Sequence, residues 1–227
     1  MTEFFRFPHT PHIAWLAPGQ PRDDKVLAPD EVAAFLAHEL VIEEKLDGAN
    51  MGISFSTEAV LHVQNRGQYL NRPYGGQFAR LEEWLATRED DLFDALGSHL
   101  MLFGEWCAAQ HSLDYDTLPD WFMAFDVYDR REQRFWSTKR RDALAESLGI
   151  KLVPRVSKGA VKLPELIQWV QDKTSHYRNG NLEGVVLRHE DDDWLLQRAK
   201  LVRPDFVQAI EEHWRSRALQ WNRISWE

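Results

Sequence analysis

The sequence predicts an α+β fold in which antiparallel sheets are flanked by helices. Strand-like and helix-like segments follow one another without the regular strand–helix–strand alternation of a parallel sheet. Several strand-like segments are joined by short turns, as in antiparallel hairpins. No linker interrupts the 227 residues, so we expect a single domain over residues 1–227.

Composition and charge limit the class of protein. Hydrophobic residues make up 44% of the chain, which is enough for a sizeable core. The net charge of -9 argues against a generic polyanion-binding surface, although a local basic cleft is compatible with it. One cysteine, Cys107, excludes an intramolecular disulfide and suits a reducing compartment. The chain shows neither a signal peptide nor a run of about 18 apolar residues, so we expect a cytoplasmic protein without a membrane segment.

The first half of the chain predicts an arm, a helix and several strands. The Pro-rich opening lacks periodicity and predicts an ordered arm over residues 1–28 that lies on the domain. Pro29, followed by two acidic residues and by helical spacing, predicts the start of a helix. Apolar segments bounded by turn residues predict strands over residues 41–44, 51–55 and 59–64. The segment 76–96 predicts a helix in two pieces.

The second half predicts two buried strands, a hairpin and three helices. The two strands and the hairpin span residues 100–106, 121–129 and 183–202. A Ser137 cap and a Gly149 stop delimit the first helix. The other two helices span residues 163–173 and 204–222.

The stretch "VIEEKLDGANMGISF" places a lysine, Lys45, between an apolar strand and a tight turn. A lysine amine attacks phosphorus only when it is neutral, and a partly desolvated cleft with other cations nearby would lower its pKa. Gly48 permits a tight turn and the close approach of a ligand. Asp47 could orient the lysine or contact the water shell of a metal. A surface lysine in a hairpin is the alternative that these residues alone leave open.

Later motifs accompany this stretch, and together they resemble a known superfamily. "KLDGAN" resembles the signature of the covalent nucleotidyltransferases, which include polynucleotide ligases and mRNA capping enzymes and join the lysine to a nucleoside monophosphate. The motifs "NRGQY", "FGEW", "FMAFDVYD", "EGVVLR" and "QRAKLVR" follow in the superfamily's order. They span residues 41–203. The resemblance implies a ligase-type nucleotidyltransferase (adenylation) domain whose antiparallel sheets surround an ATP cleft.

The resemblance also implies a role for each matched residue. Lys45 is the nucleophile, Arg66, Glu105 and Phe125 hold the nucleoside, Asp47 and Glu183 place Mg²⁺ or Mn²⁺, and Arg198 and Lys200 grip the phosphates. Positioning and electrostatic stabilisation dominate such reactions. Arg198 and Lys200 lie two apart on a predicted strand, so both face the same way, and carboxylates suit Mg²⁺.

Several residues have a structural alternative. Phe125 could belong to the core, with Phe122 as the competing aromatic residue. His111 could contact a substrate phosphate or a metal, or it could be a structural histidine. Arg203 could contact phosphate or simply lie at the start of a helix. Cys107 is expected to pack near the site without a catalytic role.

Asn50 favours RNA ligases within the superfamily. "EKLDGAN" resembles the E-K-x-x-G-x-N form of phage RNA ligases and their bacterial relatives, whereas DNA ligases and capping enzymes commonly have arginine at the place of Asn50. By that resemblance Glu44 reads the adenine amino group and Asn50 acts near the reacting phosphate. Asp47 stands where some of those ligases have histidine. The resemblance implies an ATP-dependent RNA ligase that joins 5′-phosphate and 3′-hydroxyl ends through a lysyl-AMP intermediate in RNA repair.

Other interpretations stay open. They are an ATP-dependent DNA ligase, a GTP-using capping enzyme, an adenylation subunit that needs a partner for sealing, and a nucleotide-binding module without chemistry. We expect no OB-fold domain after the last motif, so an end-healing kinase or phosphatase could act as a partner. Arg215, Arg217 and Arg223 could contribute to strand binding or form a solvated helix face.

Overall fold

The computed structural model describes residues 4–19, 21, 25–209 and 219–225. In chain order the strands are β1 (Leu40–Lys45), β2 (Ala49–Phe55), β3 (Leu61–Gln64), β4 (Leu100–Trp106), β5 (Phe122–Asp129), β6 (Arg134–Phe135), β7 (Arg155–Gly159), β8 (Gly184–Glu190) and β9 (Leu195–Val202). Sheet 1 has the strand order β7-β1-β8-β9, and sheet 2 has the order β3-β2-β4-β5-β6. Neighbouring strands in both sheets are antiparallel. The predicted α+β class with antiparallel sheets is therefore confirmed.

The helices surround these sheets. They are α1 (Pro29–Leu36), α2 (Leu81–Ala86), α3 (Glu89–Leu96), α4 (Thr138–Ser147), α5 (Leu163–Asp172) and α6 (Pro204–Ala209). At the start of α1, the Glu31 carboxylate accepts a 2.8 Å hydrogen bond from the Ala28 N–H. At the start of α4, the Ser137 side chain accepts one from the Arg140 N–H. Among the described residues, every helix is too short or too polar to span a lipid bilayer.

Each sheet buries one face against helices. In sheet 1, Ile42 belongs to a core cluster with Phe35 of α1 and Leu166 of α5. In sheet 2, Ile53 belongs to a cluster with Leu85 of α2. Because side chains alternate along a strand, the residues between these core positions face the other side of each sheet. Those two remaining faces contribute the residues of the candidate site.

Strands β6 and β7 are not predicted by sequence periodicity. β6 has only two residues, Arg134 and Phe135, which is too short for an alternating pattern. β7 reads RVSKG and is the edge strand of sheet 1, where none of its residues is fully buried. Because neither face of this edge strand is fully buried in the core, its sequence does not need to alternate between apolar and polar residues.

The closing helix ends earlier than predicted. It begins at Pro204 as expected, and the structure describes it to Ala209. Residues 219–225 are not helical, so the predicted helical end at residue 222 is wrong. This last segment hydrogen-bonds instead to the loop that follows β4, as in the bond from the Gln110 N–H to the Gln220 carbonyl. Arg215 and Arg217 lie outside the described residues.

The N-terminal arm lies across both sheets. On sheet 2, the Phe5 ring stacks on Tyr128 with a centroid distance of 3.9 Å. On sheet 1, the backbone of Lys200 accepts a hydrogen bond from the Ile13 N–H and donates one to the Pro11 carbonyl, both at 2.9 Å. The residues between these two anchors therefore pass over the space between the sheets.

Candidate active site

A cavity of about 370 Å³ lies between the two sheets. The sequence-predicted residues that line it are Glu44, Lys45, Asn50, Arg66, Glu105, Phe125, Arg198 and Lys200. Phe7 and Thr10 of the N-terminal arm complete the wall. Asp47 and Glu183 are not part of the cavity wall, although both act electrostatically on Lys45. The fold thus gathers residues that are spread over most of the chain.

The register of sheet 1 explains how its charges reach the cavity. Lys45 pairs with Gly184 across β1 and β8, and Arg188 pairs with Arg198 across β8 and β9. Because directly paired residues in antiparallel strands share a face, the odd positions of β1 and the even positions of β8 and β9 point to the cavity. Lys200, two residues after Arg198, lines it as well.

The turn between β1 and β2 brings the lysine strand against sheet 2. The Gly48 N–H donates a 3.1 Å hydrogen bond to the Glu105 carboxylate. A Cβ atom at Gly48 would lie 2.6 Å from the carbonyl oxygen of Trp106, so only glycine fits at this approach. Asn50, at the start of β2, is the direct cross-strand partner of Glu105. Gly48 and Asn50 of the motif around Lys45 therefore hold the end of β1 close to β4 of sheet 2.

Four residues form what we call the lysine cluster: Lys45, Asp47, Glu105 and Glu183. The Lys45 Nζ atom lies 2.5 Å from Glu183 Oε1, and the side chains are 29% and 3% exposed, respectively. The other oxygen of Glu183 is buried and has no hydrogen-bond partner within the described parts of the chain. A buried carboxylate oxygen of this kind is an acceptor site for a ligand, an ion or water.

The lysine cluster has more acid than base, and this shifts its pKa values. Burial raises the pKa of Glu183 to about 8 and that of Glu105 to about 7, although Lys45 lowers both. Burial also opposes the charge on Lys45, but Glu183, Glu105 and Asp47 outweigh burial and raise the pKa of Lys45 above its ordinary value. The expected lowering of the lysine pKa by nearby cations is wrong, because carboxylates dominate around the amine.

Asp47 supports the turn next to the lysine. Its Oδ2 atom accepts hydrogen bonds of 2.7 Å from the backbone N–H groups of Ser112 and Leu113. Its own N–H donates a 2.8 Å hydrogen bond to the Tyr115 hydroxyl. Asp47 therefore joins the turn after β1 to the loop after β4. The role at a metal that the sequence suggests for Asp47 stays a prediction.

A second group of charges, the arginine network, consists of Glu43, Asp126, Arg141 and Arg188. Arg141 donates two hydrogen bonds to the Glu43 carboxylate, at 3.1 and 2.6 Å. Arg188 donates a 2.7 Å hydrogen bond to Asp126, and Asp126 also accepts one from the predicted phosphate ligand Arg198. Each of the four network side chains is 1% or 2% exposed. The network forms a fixed, charged floor beneath the cavity.

Sequence reasoning did not identify the arginine network as part of the site. A signal does exist, since Glu43 and Lys45 are charged residues two positions apart, and therefore on one face, in a strand that begins with three apolar residues. The partner Arg141 lies 98 positions from Glu43 in the chain and belongs to α4. No local pattern connects these two residues, so the pairing became visible only in the fold.

The cavity wall also holds an aromatic ring and two polar atoms without hydrogen-bond partners in the described structure. Phe125 lines the cavity, and its ring lies edge-on to Phe7 at a centroid distance of 5.4 Å. The competing aromatic residue, Phe122, is fully buried in the core against Trp84. Arg66 Nε and Asn50 Oδ1 are buried without a hydrogen-bond partner in the described structure, and both residues line the cavity.

Glu44 contributes to the cavity wall, but its carboxylate points elsewhere. As an even-numbered residue of β1, it lies on the face of Ile42, opposite to Lys45. The Glu44 Oε2 atom accepts a 3.0 Å hydrogen bond from the His176 N–H and lies 2.8 Å from the Nδ1 atom of the same residue. Contact between this carboxylate and an adenine amino group stays a prediction.

Two further residues of the sequence motifs lie near the cluster. His111 Nε2 lies 2.7 Å from the Gln77 side-chain oxygen, and burial lowers the pKa of His111. Cys107 is fully buried, and burial raises its thiol pKa well above the ordinary value. A protonated, buried thiol is a poor nucleophile, in agreement with the packing role expected for Cys107.

Known proteins share this sequence pattern and fold. A family model described as RNA ligase matches residues 38–202, and no curated protein matches the chain at a significant level. A Naegleria gruberi RNA ligase variant with AMP and Mn is 16% identical, with a TM-score of 0.63 over 94% of this chain and 59% of that one. The same ligase with PPi is 20% identical, with a TM-score of 0.60 over 78% of this chain and 52% of that one. The chain therefore spans between about half and three fifths of the Naegleria chains, and the likeness shows the fold.

Proposed function

The chain belongs to the RNA ligase family, and we propose that it is an ATP-dependent RNA ligase. In this proposal Lys45 carries a covalent AMP, and the enzyme joins 5′-phosphate and 3′-hydroxyl ends of RNA. The observation that carries the proposal is the position of Lys45. Its amine is partly exposed to a cavity whose wall also holds Arg66, Arg198 and Lys200. Such cations neutralise phosphate oxygens, and their placement before the reaction is what makes them effective.

The first step is nucleotidyl transfer to Lys45. The Lys45 Nζ atom attacks the α-phosphorus of ATP, a nitrogen–phosphorus bond forms, and the bond to the pyrophosphate oxygen breaks. The amine must lose a proton before or during the attack. Glu183 is the acceptor that supports this step, because its Oε1 atom lies 2.5 Å from Nζ. Burial raises the Glu183 pKa to about 8, so the form of Glu183 that can accept a proton increases as the pH rises toward that value.

The aromatic wall and the unsatisfied polar atoms supply a place for the nucleoside. We assign Phe125 to the face of the adenine ring, and Glu105 and Arg66 to the ribose and its phosphate. The buried atoms Arg66 Nε and Asn50 Oδ1 would gain hydrogen-bond partners when the nucleotide binds. Glu44 is assigned to the adenine edge on the sequence motif alone, because its carboxylate contacts His176 in the structure.

The residues fit a hydrated Mg²⁺ or Mn²⁺ ion. Glu183 keeps one buried carboxylate oxygen that no described residue contacts by a hydrogen bond, and hard oxygen ligands suit these ions. In the described parts of the chain, no group of three or more His, Cys, Asp or Glu residues could hold a metal. An ion held largely by water and substrate phosphates needs no such group. Glu183, with Asp47 at the ion's water shell, would hold it, and the ion would neutralise charge on the phosphate oxygens.

The later steps use the polynucleotide. The AMP passes from Lys45 to the 5′-phosphate of one strand, and the 3′-hydroxyl of another strand then displaces AMP and seals the junction. We propose RNA repair in the cytoplasm as the setting, with an end-healing kinase or phosphatase as a partner. Asn50 is the residue that favours RNA ligation over DNA ligation.

Incubation with radiolabelled ATP or GTP and Mg²⁺ or Mn²⁺, followed by a denaturing gel, tests the first step. We expect a covalent label from ATP, its loss in Lys45→Ala, and its retention in Lys25→Ala. Lys25 is a suitable control because it is an exposed lysine paired with Glu31. The absence of a label with either nucleotide and either metal would contradict the proposal.

Parallel ligation of nicked and single-stranded RNA and DNA, all with 5′-phosphate ends, tests the later steps. We expect sealing of RNA ends. Sealing of DNA alone would support a DNA ligase instead. Labelling without any sealing would support an adenylation subunit that needs a partner protein.

A further inference from the structure

The C-terminal segment, residues 219–225, lies between the two limbs of the loop formed by residues 107–118. Backbone hydrogen bonds hold it to both limbs. They join Gln220 and Asn222 to Gln110 and Ala108 on one limb, and Arg223 and Ser225 to Tyr115 and Leu118 on the other. The family match ends at residue 202, so this segment lies outside the matched residues.

Asn222 is the side chain that connects the two limbs. It is 5% exposed, and its Oδ1 atom accepts a 2.8 Å hydrogen bond from the Tyr115 N–H. Its Nδ2 atom donates to the carbonyl oxygens of Cys107 and Ala109, at 2.8 and 3.3 Å. Both donor hydrogens of the amide are therefore used, and no other residue type offers this combination of donors and acceptor at this size.

The 107–118 loop also binds the turn next to the candidate nucleophile, Lys45. The N–H groups of Ser112 and Leu113 bind the Asp47 carboxylate, and the Tyr115 hydroxyl accepts a hydrogen bond from the Asp47 N–H. Asp47 is two residues from Lys45 in the turn that leads into β2. The Tyr115 side chain is 2% exposed, so its hydroxyl has little freedom to move away from this position.

We infer that Asn222 is a positioning residue for Lys45, and that it acts through the 107–118 loop, Tyr115 and Asp47. The inference rests on the proposed function, because it assumes that Lys45 attacks the nucleotide. It assigns Asn222 no contact with substrate. A displacement of about 1 Å at a reacting atom can reduce a rate by about 100-fold, so a loop that holds the lysine turn at two points controls the rate of attack.

Single-turnover labelling separates this role from a general effect on folding. The protein is mixed with labelled ATP at several concentrations, and the rate constant, the ATP concentration at half-maximal rate, and the labelled fraction are measured. For Asn222→Ala we expect a rate constant about 10-fold to 100-fold lower. We expect less than about a twofold change in half-saturating ATP, because the cavity cations and Phe125 lie on other elements. The labelled fraction at long times should stay as in the unchanged protein.

Val170→Ala is the matched control. Val170 is fully buried in α5 and belongs to the core of sheet 1, away from the 107–118 loop. This truncation should lower the thermal midpoint and reduce the labelled fraction near that midpoint. It should leave the rate constant at lower temperature unchanged. A role of Asn222 in stability alone would give this same pattern for Asn222→Ala and would overturn the inference.

A second variant covers the case in which Asn222→Ala does not fold. Tyr115→Phe removes only the hydroxyl that accepts the Asp47 N–H, and we expect it to lower the rate constant about threefold to tenfold. Because both changes act on one pathway, the double variant should be less impaired than the product of the single effects. An unchanged rate constant in Tyr115→Phe would contradict the inference.

The proposed function and the inference can fail separately. If the unchanged protein takes no label, the proposed function fails and the inference fails with it. If the unchanged protein is labelled and Asn222→Ala is labelled at the same rate, only the inference is overturned.

Discussion

The lysine cluster and the arginine network both contribute residues to the wall of the same cavity, yet they balance charge in different ways. In the lysine cluster, three carboxylates face one amine, and an oxygen of Glu183 has no partner in the described structure. In the arginine network, Arg141 and Arg188 meet Glu43 and Asp126 through short hydrogen bonds. Arginine keeps its proton at any relevant pH, and its planar group binds a carboxylate through two donors at once.

This difference separates a group of side chains whose charge depends on pH from a frame built on two permanently charged arginines. Burial raises the pKa values of Glu105 and Glu183 to about 7 and about 8, so the lysine cluster exchanges protons near neutral pH. In the network, Asp126 and Glu43 outweigh burial and raise the pKa of Arg188 further above its ordinary value. The frame therefore holds Arg198, the proposed phosphate ligand, through Asp126 while the protonation of the lysine cluster changes.

Breaking the frame should give the largest loss of stability at pH 7. The Glu43 carboxylate contacts both Arg141 and Arg188, and all three side chains are almost fully buried. Glu43→Ala removes this shared partner. Loss of one partner of a buried pair costs about 3–5 kcal/mol. We expect a loss of about 3 kcal/mol, at the lower end of that range, because Arg141 keeps its contact with Asp142. Urea unfolding at pH 7 measures this change.

Glu82→Ala is the control for this prediction. Glu82 pairs with Arg72 on the surface, where the side chains are 58% and 47% exposed. Exposed pairs contribute about 0–1 kcal/mol, so the control should lose little stability. Similar losses in the two variants would show that the network does not act as a buried frame.

Removing the proposed proton acceptor, Glu183, should give the next largest effect, and it should act on the labelling rate. Glu183→Gln keeps the size of the side chain but cannot take the proton from the Lys45 amine. General base catalysis contributes about 10²–10⁴ in rate, and we expect a loss of about 100-fold in single-turnover labelling, equivalent to about 2.7 kcal/mol. The stability at pH 7 should not fall, because a neutral side chain replaces a carboxylate whose pKa burial raises to about 8.

The comparison of the two variants is the sharper result. Glu43→Ala should lower stability strongly, and Glu183→Gln should lower the labelling rate without lowering stability. If Glu183→Gln labels at the normal rate, Glu183 is not the proton acceptor for Lys45. If it unfolds instead, the lysine cluster is part of the frame and the distinction between the two groups is wrong.

Sequence patterns predicted most of the elements because the buried strands are strongly apolar. Most residues of β4, "LMLFGEW", and of β5, "FMAFDVYD", are buried. A serine cap marks the start of α4. The polar edge strand β7 has no such pattern, and the last segment departs from a helix because residues 220–225 pair with the 107–118 loop. Tertiary hydrogen bonds decide such segments, and local sequence does not encode them.

The candidate site was predictable to the extent that its residues lie in ordered motifs. Lys45, Glu105, Phe125, Arg198 and Lys200 could be named because each belongs to a short pattern with a fixed order. The ion pairs that hold them join residues far apart in sequence, such as Arg198 and Asp126, 72 positions apart. The direction of the lysine pKa shift was missed for the same reason, since Glu105 and Glu183 approach Lys45 only in the folded chain.

Per unit of pH, the smallest expected effect is a change in stability of at most about 1.4 kcal/mol, and it belongs to the lysine cluster. Burial raises the folded-state pKa of Glu183 from 4.5 to about 8, so between these values the folded protein holds a proton that the unfolded chain has released. Stability contributed by this group must then fall as the pH rises through that window. Glu183→Gln cannot titrate, so its stability relative to the unchanged protein should increase from about pH 4.5 to about pH 8.

Urea unfolding at a series of pH values measures this difference in stability. Two further variants test whether it comes from the lysine cluster. Glu105→Gln should show the same trend over a narrower window, because burial raises the pKa of Glu105 only to about 7. Val170→Ala changes a buried apolar side chain of α5, so its stability difference should not depend on pH. A constant difference for Glu183→Gln across the window would mean that the cluster holds no extra proton. In that case Glu183 would be ionised beside Lys45. The Lys45 amine would then have to lose its charge when the nucleotide binds.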